Sequence, residues 1–275
     1  MSPFADHEGP GLLAVAPAAS ADVDALLARV RALRPRLRVE HAYFGRHGTG
    51  TPSLRTALER GRGPRVVVPL FLGEGYDVVA GLSHALRPAP GPVRVAPPLA
   101  PDPLLVTALR RRLREAESAA GGAAGAVVLA GAGSRRRTGD EGCCTSAHML
   151  AARLRHEGRP VPVRPAYLSG ALGAPGVEGA VRELRAQGRH RVAVLPYLVT
   201  AGRFGARLTG LGGALTAGAL GGQEALARLV LARYDAALDG PRSPREGAAS
   251  VPPLPPHAPR PLPVRDPVRD RHQAA

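Results

Sequence analysis

Side chains that can hold a metal ion or move a proton follow short apolar segments of this sequence. His47 lies just beyond the segment 37–45, and Glu74 and Asp77 lie at the end of the run VVVPLFLGEGYD. Imidazole suits divalent iron, cobalt and nickel and accepts a proton near neutral pH. Carboxylates bind the same ions but favour harder ones. This set of residues therefore favours chemistry on a metal ion or a proton transfer.

Each of the three residues also has a purely structural interpretation. Asp77 precedes the apolar segment VVAGL and suits the N-cap position of a helix. Glu74 can be a solvated loop charge, and His47 can be an ordinary surface histidine in the loop RHGTG. His41 alternates with Val39 and Tyr43, which favours packing on one face of a strand over metal binding. The residue types alone leave these alternatives open.

The run VVVPLFLGEGYD, which begins at Val66, is the segment that must position Glu74 and Asp77. It is apolar and rich in β-branched residues, which predicts a strand buried on both faces. A second copy, VAVLPYLVTAGRF, covers 192–204, and Pro69 and Pro196 are as far apart as Gly75 and Gly202. This equal spacing predicts two related halves, each with its own copy of the strand.

Strand-like and helix-like patterns alternate through both halves. Predicted strands cover 12–20, 37–45, 66–77, 93–99, 126–134, 161–170 and 192–204. Predicted helices include 23–33, with Asp22 as its N-cap, and 103–117, 143–156, 177–185 and 223–238. The alternation predicts α/β lobes with parallel sheets, each covered on both faces. In such sheets ligands bind at the carboxyl ends of the strands, where Ser20, Ser134 and Arg203 join the residues above.

The same patterns divide the chain. We expect a flexible lead over 1–11, an N-terminal lobe over 12–120, a Gly-rich linker over 121–125 and a C-terminal lobe over 126–239. Each lobe is long enough to bury its own core. The segment 240–275 is rich in Pro and Arg without periodicity, which predicts a disordered tail.

Composition narrows the possible partners. The formal charge of +15 comes from arginine alone, spread over both halves and the tail, and only four Phe, five Tyr and no Trp are present. A nucleic-acid-binding protein would cluster its positive charge, so we expect no nucleic-acid partner. No apolar run approaches the roughly 20 residues that cross a bilayer, so we expect no membrane partner. The two adjacent cysteines, Cys143 and Cys144, suit a reducing cytoplasm.

The layout resembles the sirohydrochlorin chelatase family, enzymes that insert cobalt or iron into a tetrapyrrole. The resemblance covers about 12–238 and is carried by VVVPLFLGEGYD, by GAGS followed by RVAVLPYLVTAGRF, and most specifically by VRVAPPLAPDPLLVTALRRRL. It implies two flavodoxin-like lobes with the macrocycle bound between them. It also implies two histidine metal ligands. This sequence has Pro17 or a neighbour in APAAS at the first place and Asp77 at the second, with Ala132 and Phe204 at the corresponding places of the second half.

The resemblance suggests roles for the polar residues. Asp77 and Glu74 would supply oxygen ligands and accept protons, and His47 would supply an imidazole to the metal. Arginines such as Arg46 and Arg203 would suit the carboxylates of a tetrapyrrole, with Ser20 and Ser134 as further substrate contacts. The implied function is a metal chelatase, a lyase, that takes cobalt, iron or nickel as substrate and needs no organic cofactor. The alternative is a relative that binds the tetrapyrrole or the metal without catalysis. The sequence leaves the oligomeric state open.

Overall fold

A computed structural model describes most of both halves. The described residues are 9–44, 53–61, 63–72, 82, 85–86, 89, 91–133, 141–169, 176–211 and 215–239, without the side chain of Arg203. Five of the predicted site residues lie outside this description, namely Glu74, Asp77, His47, Arg46 and Ser134.

The first half begins with alternating strands and helices and ends with a long helix. Its elements are β1 (Gly11–Ala16), α1 (Ala21–Leu33), β2 (Val39–Tyr43), α2 (Leu54–Arg60), β3 (Arg65–Pro69), β4 (Val93–Val95) and α3 (Pro103–Ala119).

The second half repeats this order. Its elements are β5 (Ala126–Gly131), α4 (Glu141–His156), β6 (Val163–Tyr167), α5 (Val177–Ala186), β7 (Val192–Pro196), a short 3₁₀ turn (Gly202–Phe204), α6 (Gly205–Thr209), β8 (Leu215–Thr216) and α7 (Glu224–Asp239).

Each half forms its own parallel four-stranded sheet, with strand orders β2-β1-β3-β4 and β6-β5-β7-β8. The registers also correspond, because Val15 pairs with Pro69 and Ala130 pairs with Pro196. Every residue of β3 is buried, as are those of β1, β5 and β7. The prediction of two similar α/β lobes with parallel sheets is therefore confirmed.

Local sequence explains where two of the helices begin. The hydroxyl of Ser20 accepts a hydrogen bond from the backbone N–H of Val23, so Ser20 is the N-cap of α1. The prediction that Asp22 caps this helix is wrong; Asp22 lies in the first turn, where a carboxylate is still favourable for the helix dipole. Asp102 caps α3 through the N–H of Leu104 at 2.8 Å, directly before Pro103.

The last helix of each half packs against the other half. Helix α3 contacts α4, β7 and β8, whereas α7 contacts α1, β3 and β4, and the two helices also contact each other. Arg94 of β4 donates hydrogen bonds to the carbonyl oxygens of Ala237 and Leu238 at the end of α7. Arg110 of α3 pairs with Glu157, just after α4, at 2.6 Å. The halves therefore exchange their final helices.

This exchange gives the two halves a common core. One hydrophobic cluster contains Leu12 of β1, Leu109 of α3, Leu129 of β5 and Leu226 of α7 together. The outer faces of the sheets have separate clusters, under α2 in the first half and under α5 in the second. The expectation that each lobe buries its own core holds fully only for these outer faces, because the inner face of each sheet is covered by a helix of the other half as well as by its own α1 or α4.

The segment 121–125 is held in place in this arrangement. The guanidinium of Arg191 donates to the carbonyl oxygens of Ala120, Gly122 and Ala123. Glu117 accepts from the N–H of Ala124 at 2.9 Å and forms a two-point ion pair with Arg159. The link between the halves is thus tied to both of them. Within the described part of the chain, no helix has the length and apolarity that a membrane span requires.

Candidate functional site

The carboxyl ends of four strands, two from each sheet, meet around one cavity. β1 and β3 are neighbours at the point where the strand order of the first sheet reverses, and β5 and β7 are the corresponding neighbours in the second. This is where open α/β sheets bind ligands. The cavity has a volume of about 50 Å³. Its lining comes from the residues that follow these strands, which are Pro17, Leu70, Phe71, Leu72, Ala132, Tyr197, Leu198, Val199 and Thr200.

The two sides of the cavity correspond residue by residue. The N–H of Leu70 donates to Val15 O and the N–H of Tyr197 donates to Ala130 O, both at 2.8 Å. Pro17 directly follows β1, and Ala132 directly follows β5. The duplicated fold therefore places Pro17, at the first implied histidine position, and its counterpart Ala132 in the same cavity wall.

The two sides differ in polarity. The first half contributes apolar side chains, whereas the second contributes two hydroxyl groups, on Tyr197 and Thr200. The phenol of Tyr197 donates to Gly142 O at 3.1 Å and lies 3.0 Å from the hydroxyl of Ser146. Burial raises the pKa of Tyr197 well above its ordinary value near 10, and the hydrogen bond with Ser146 only partly opposes this rise. Tyr197 therefore stays neutral and fixed at physiological pH.

Thr200 stands apart from this network. Its side chain is buried, with 7% exposure, and its hydroxyl has no hydrogen-bond partner among the described residues.

Close packing next to the cavity explains the glycines of the GAGS segment. Gly133 has a positive φ of 88°, and a Cβ atom there would lie 2.7 Å from the backbone oxygen of Ser169. A Cβ atom on Gly131 would lie 3.2 Å from the ring of Tyr167. The hydroxyl of Ser169 in turn donates to Ala132 O at 2.5 Å. Glycine is required where the chain leaves β5, because the segment after β6 approaches its backbone closely.

The structure locates only some of the residues that the sequence suggested. Ser20 is the N-cap of α1, so its hydroxyl already has a structural partner. Arg203 lies in the 3₁₀ turn that follows β7, without a described side chain. His41 lies on β2, half-buried and edge-on to Tyr43 at 5.5 Å between ring centroids. The convergence of Glu74, Asp77 and His47 falls outside the described residues and stays a prediction.

The described residues do not form a metal site by themselves. No group of three or more His, Cys, Asp or Glu side chains in these ranges could hold an ion. Pro17 and Ala132 offer no side-chain ligand. Both cysteines carry thiols; Cys143 is buried beneath β5, and Cys144 lies 3.6 Å from the hydroxyl of Tyr167.

Sequence reasoning missed Tyr197 and Thr200. Both lie inside the segment VAVLPYLVTAGRF. Tyr197 directly follows Pro196 and corresponds to Leu70 of the first half, and Thr200 corresponds to Gly73. The repeat itself carried the signal, because it aligns two hydroxyl-bearing residues of the second half with residues of the first half that have no polar side chain. Such a difference indicates that the two sides of a shared cavity differ chemically.

Comparison with known proteins agrees with this geometry. The model of the CbiX family matches the chain twice, over residues 15–116 and 126–210. Among curated proteins, none matches the sequence significantly.

The solved structures that share the fold include the following three. SirB from Bacillus subtilis with Fe³⁺ is 19% identical with a TM-score of 0.62, over 83% of this chain and 95% of that one. SirB from Bacillus subtilis subspecies spizizenii in complex with cobalt is 16% identical with a TM-score of 0.61, over 84% and 97%. CbiX, the terminal enzyme of siroheme biosynthesis in denitrifying bacteria, is 23% identical with a TM-score of 0.60, over 81% and 98%.

Proposed function

This chain belongs to the CbiX family of sirohydrochlorin chelatases, and on that premise we propose that it inserts cobalt or iron into a sirohydrochlorin-type tetrapyrrole. The macrocycle would lie over the cavity at the joined strand ends. Insertion would serve the synthesis of cobalamin or siroheme.

The observation that carries this proposal is the cavity shared by the two sheets. Pro17 and Ala132, which follow the first strand of each half, line it together with the ends of β3 and β7. A flat ligand placed there would contact both halves at their strand-order reversals, where parallel sheets present loops for chemistry. The largely apolar lining suits the faces of a macrocycle.

The proposed chemistry exchanges two protons for one metal ion. The metal must lose water, reach the ring beside the site and replace the protons of two pyrrole N–H groups. We assign Asp77 and His47 as metal ligands, and Glu74 with Asp77 as the groups that accept the protons. Arg46 and Arg203 would pair with carboxylates of the substrate, and Ser20 and Ser134 would add hydrogen bonds.

A second function, binding of the tetrapyrrole without metal insertion, is favoured by one observation. The cavity wall carries Pro17 at one of the two positions where the family resemblance implies histidines, and Ala132 at the corresponding position of the second half. Neither side chain can ligate a metal. If no loop residue replaces these ligands, the cavity still offers a surface for the ring but no means of delivering the ion.

Absorbance spectroscopy with sirohydrochlorin distinguishes the two functions. A chelatase converts many equivalents of free macrocycle to the metal form in the presence of Co²⁺, Fe²⁺ or Ni²⁺, and a binding protein shifts the spectrum only to one equivalent. Asp77→Asn, Glu74→Gln and His47→Gln should each lower the turnover at least tenfold. The exposed residues Glu59 and His190 provide the matched controls Glu59→Gln and His190→Gln. Turnover that survives all three substitutions would remove these residues from the mechanism.

The proposed setting is a reducing cytoplasm, without an organic cofactor, nucleic acid or membrane as partner. The thiol state of Cys143 and Cys144 is compatible with that setting.

A further inference from the structure

We propose that Thr200 hydrogen-bonds the ring nitrogen atoms of the metal-free tetrapyrrole and thereby distinguishes the substrate from the metal-loaded product. This inference rests on the proposed function, because it takes a tetrapyrrole as the occupant of the cavity.

The first step is the unsatisfied hydroxyl of Thr200. Nearly all buried polar atoms in folded proteins have a hydrogen-bond partner, so a buried hydroxyl without one calls for an explanation. Within the described residues, three buried side-chain polar atoms lack a partner. Two belong to Arg65 and Arg110, whose guanidinium groups form hydrogen bonds through their other nitrogens. The hydroxyl of Thr200 has no such alternative.

The second step is its position. Thr200 follows β7 and lines the cavity, whereas other buried or half-buried hydroxyls in this lobe are already engaged. Tyr197 and Ser146 bond each other, and Ser169 donates to Ala132 O. Thr200 is therefore the residue of the described lining whose buried hydroxyl lacks a hydrogen-bond partner, at the place where the sheet presents a ligand.

The third step is the kind of atom that could be that partner. None of the described residues that line the cavity carries a charge. A carboxylate buried against this lining would lose its hydration without gaining a counter-ion, so the acidic side chains of the tetrapyrrole are excluded from it. The uncharged polar atoms of the macrocycle are its ring nitrogens. In the free base, two of them carry protons and two have lone pairs, and a threonine hydroxyl can accept from the former or donate to the latter.

The fourth step is the effect of metal insertion. Once the metal is bound, all four ring nitrogens are coordinated and none remains to bond the hydroxyl. The free base therefore gains a hydrogen bond that the product lacks, and Thr200 is again unpaired in the product complex. Such a contact favours capture of the substrate and release of the product.

The test compares Thr200→Val with Thr200→Ser. Valine keeps the shape but removes the hydroxyl, and serine keeps the hydroxyl. The matched control is Thr107→Val, on the exposed surface of α3. Dissociation constants of sirohydrochlorin and of its cobalt form are measured by absorbance titration, and thermal unfolding of each ligand-free variant is followed in parallel.

We expect Thr200→Val to weaken binding of the free base roughly threefold to tenfold, the effect of one neutral hydrogen bond. Binding of the cobalt form should be unchanged, Thr200→Ser should restore most of the free-base affinity, and the unfolding midpoint of Thr200→Val should equal or exceed that of the parent. The midpoint separates this role from a structural one, because removal of an unsatisfied hydroxyl does not destabilise the fold.

Three results would overturn the proposal in distinguishable ways. An unchanged affinity of Thr200→Val for the free base would show that the hydroxyl forms no hydrogen bond with it. Equal weakening of the free base and the cobalt form places the contact somewhere other than on the ring nitrogens. Failure of the parent protein to bind sirohydrochlorin at all overturns the proposed function, and this inference falls with it.

Discussion

Arg34, the residue that follows α1 of the first half, and Asp235, in α7 at the end of the second half, form a two-point ion pair with nitrogen–oxygen distances of 2.7 and 2.6 Å. Arg34 also lies over the ring of Tyr234, 5.9 Å from its centroid. These contacts join residues from opposite ends of the described chain. The first lobe is therefore completed only when the last helix has been added.

This exchange predicts that neither half folds stably alone. A fragment of residues 1–122 lacks α7, which covers β3 and β4, and exposes the apolar side of α3 with Leu105, Leu109 and Leu113. We expect poor dispersion in its amide NMR spectrum and recovery of native dispersion on mixing with 123–239. A well-dispersed spectrum of the isolated fragment would contradict the shared core.

The segments before and after Gly240 should contribute very differently to the stability of the fold. Truncation after Gly240 should change the thermal midpoint by no more than a few degrees, because the Pro- and Arg-rich composition beyond it does not offset the entropy of ordering. Truncation after Gly222, which also removes α7, should abolish cooperative unfolding. A loss of more than a few degrees in the first variant would mean that the tail packs on a lobe.

We expect the ion pairs of Glu157 to make part of the free energy of unfolding depend on pH. Hydrogen bonds from Arg153 and Arg110 hold the pKa of Glu157 near 2, below its ordinary value of about 4.5. Because the folded-state pKa is lowered, this stabilisation is complete above pH 4.5 and is lost as the pH falls towards 2. Glu157 is 17% exposed and Arg110 is 10% exposed, so solvent screens the pair only in part.

Glu157→Gln should therefore lower the free energy of unfolding at pH 7 by up to about 3 kcal/mol. Urea unfolding between pH 7 and pH 3 should show this difference shrinking steadily below pH 4.5. Glu59→Gln, at the exposed end of α2, is the control and should show no comparable trend. A difference that stays constant with pH would mean that the loss comes from packing rather than from charge.

The cavity position of Pro17 predicts a gain of function. Pro17→His combined with Asp77→His should raise cobalt insertion above that of the parent, since two imidazoles form a nitrogen-rich site for Co²⁺. Either change alone should do much less, because one imidazole holds a hydrated ion weakly.

Ala18→His combined with Asp77→His is the informative comparison, because Pro17 lines the cavity and Ala18 does not belong to its described lining. Rates of cobalt insertion are measured from the absorbance change of sirohydrochlorin. If neither double variant exceeds a parent that already turns over well, the native site uses other ligands and needs no histidine at these positions.

The sequence by itself indicated most of the elements and their order, although β8 and α6 lie outside the predicted strands and helices. The β-branched residues of the run VVVPLF favour a buried strand, and amphipathic periodicity identified α1 and α3, because these patterns depend on neighbours within a few residues. The equal spacing of Pro69 with Pro196 and of Gly75 with Gly202 likewise indicated the repeat, and the sheet registers around Val15 and Ala130 agree with it.

Only the tertiary structure decided which surfaces meet. From the sequence alone, the apolar stripe of α7 could pack against either sheet. Its place on the first half is set by long-range contacts such as the ion pair of Arg34 with Asp235. Ser20 prevails over Asp22 as the cap because capping depends on the backbone conformation at one residue. The sequence did not predict that Pro17 and Ala132 line one cavity or that the Thr200 hydroxyl has no partner among the described residues. Both facts depend on how two separate sheets face each other.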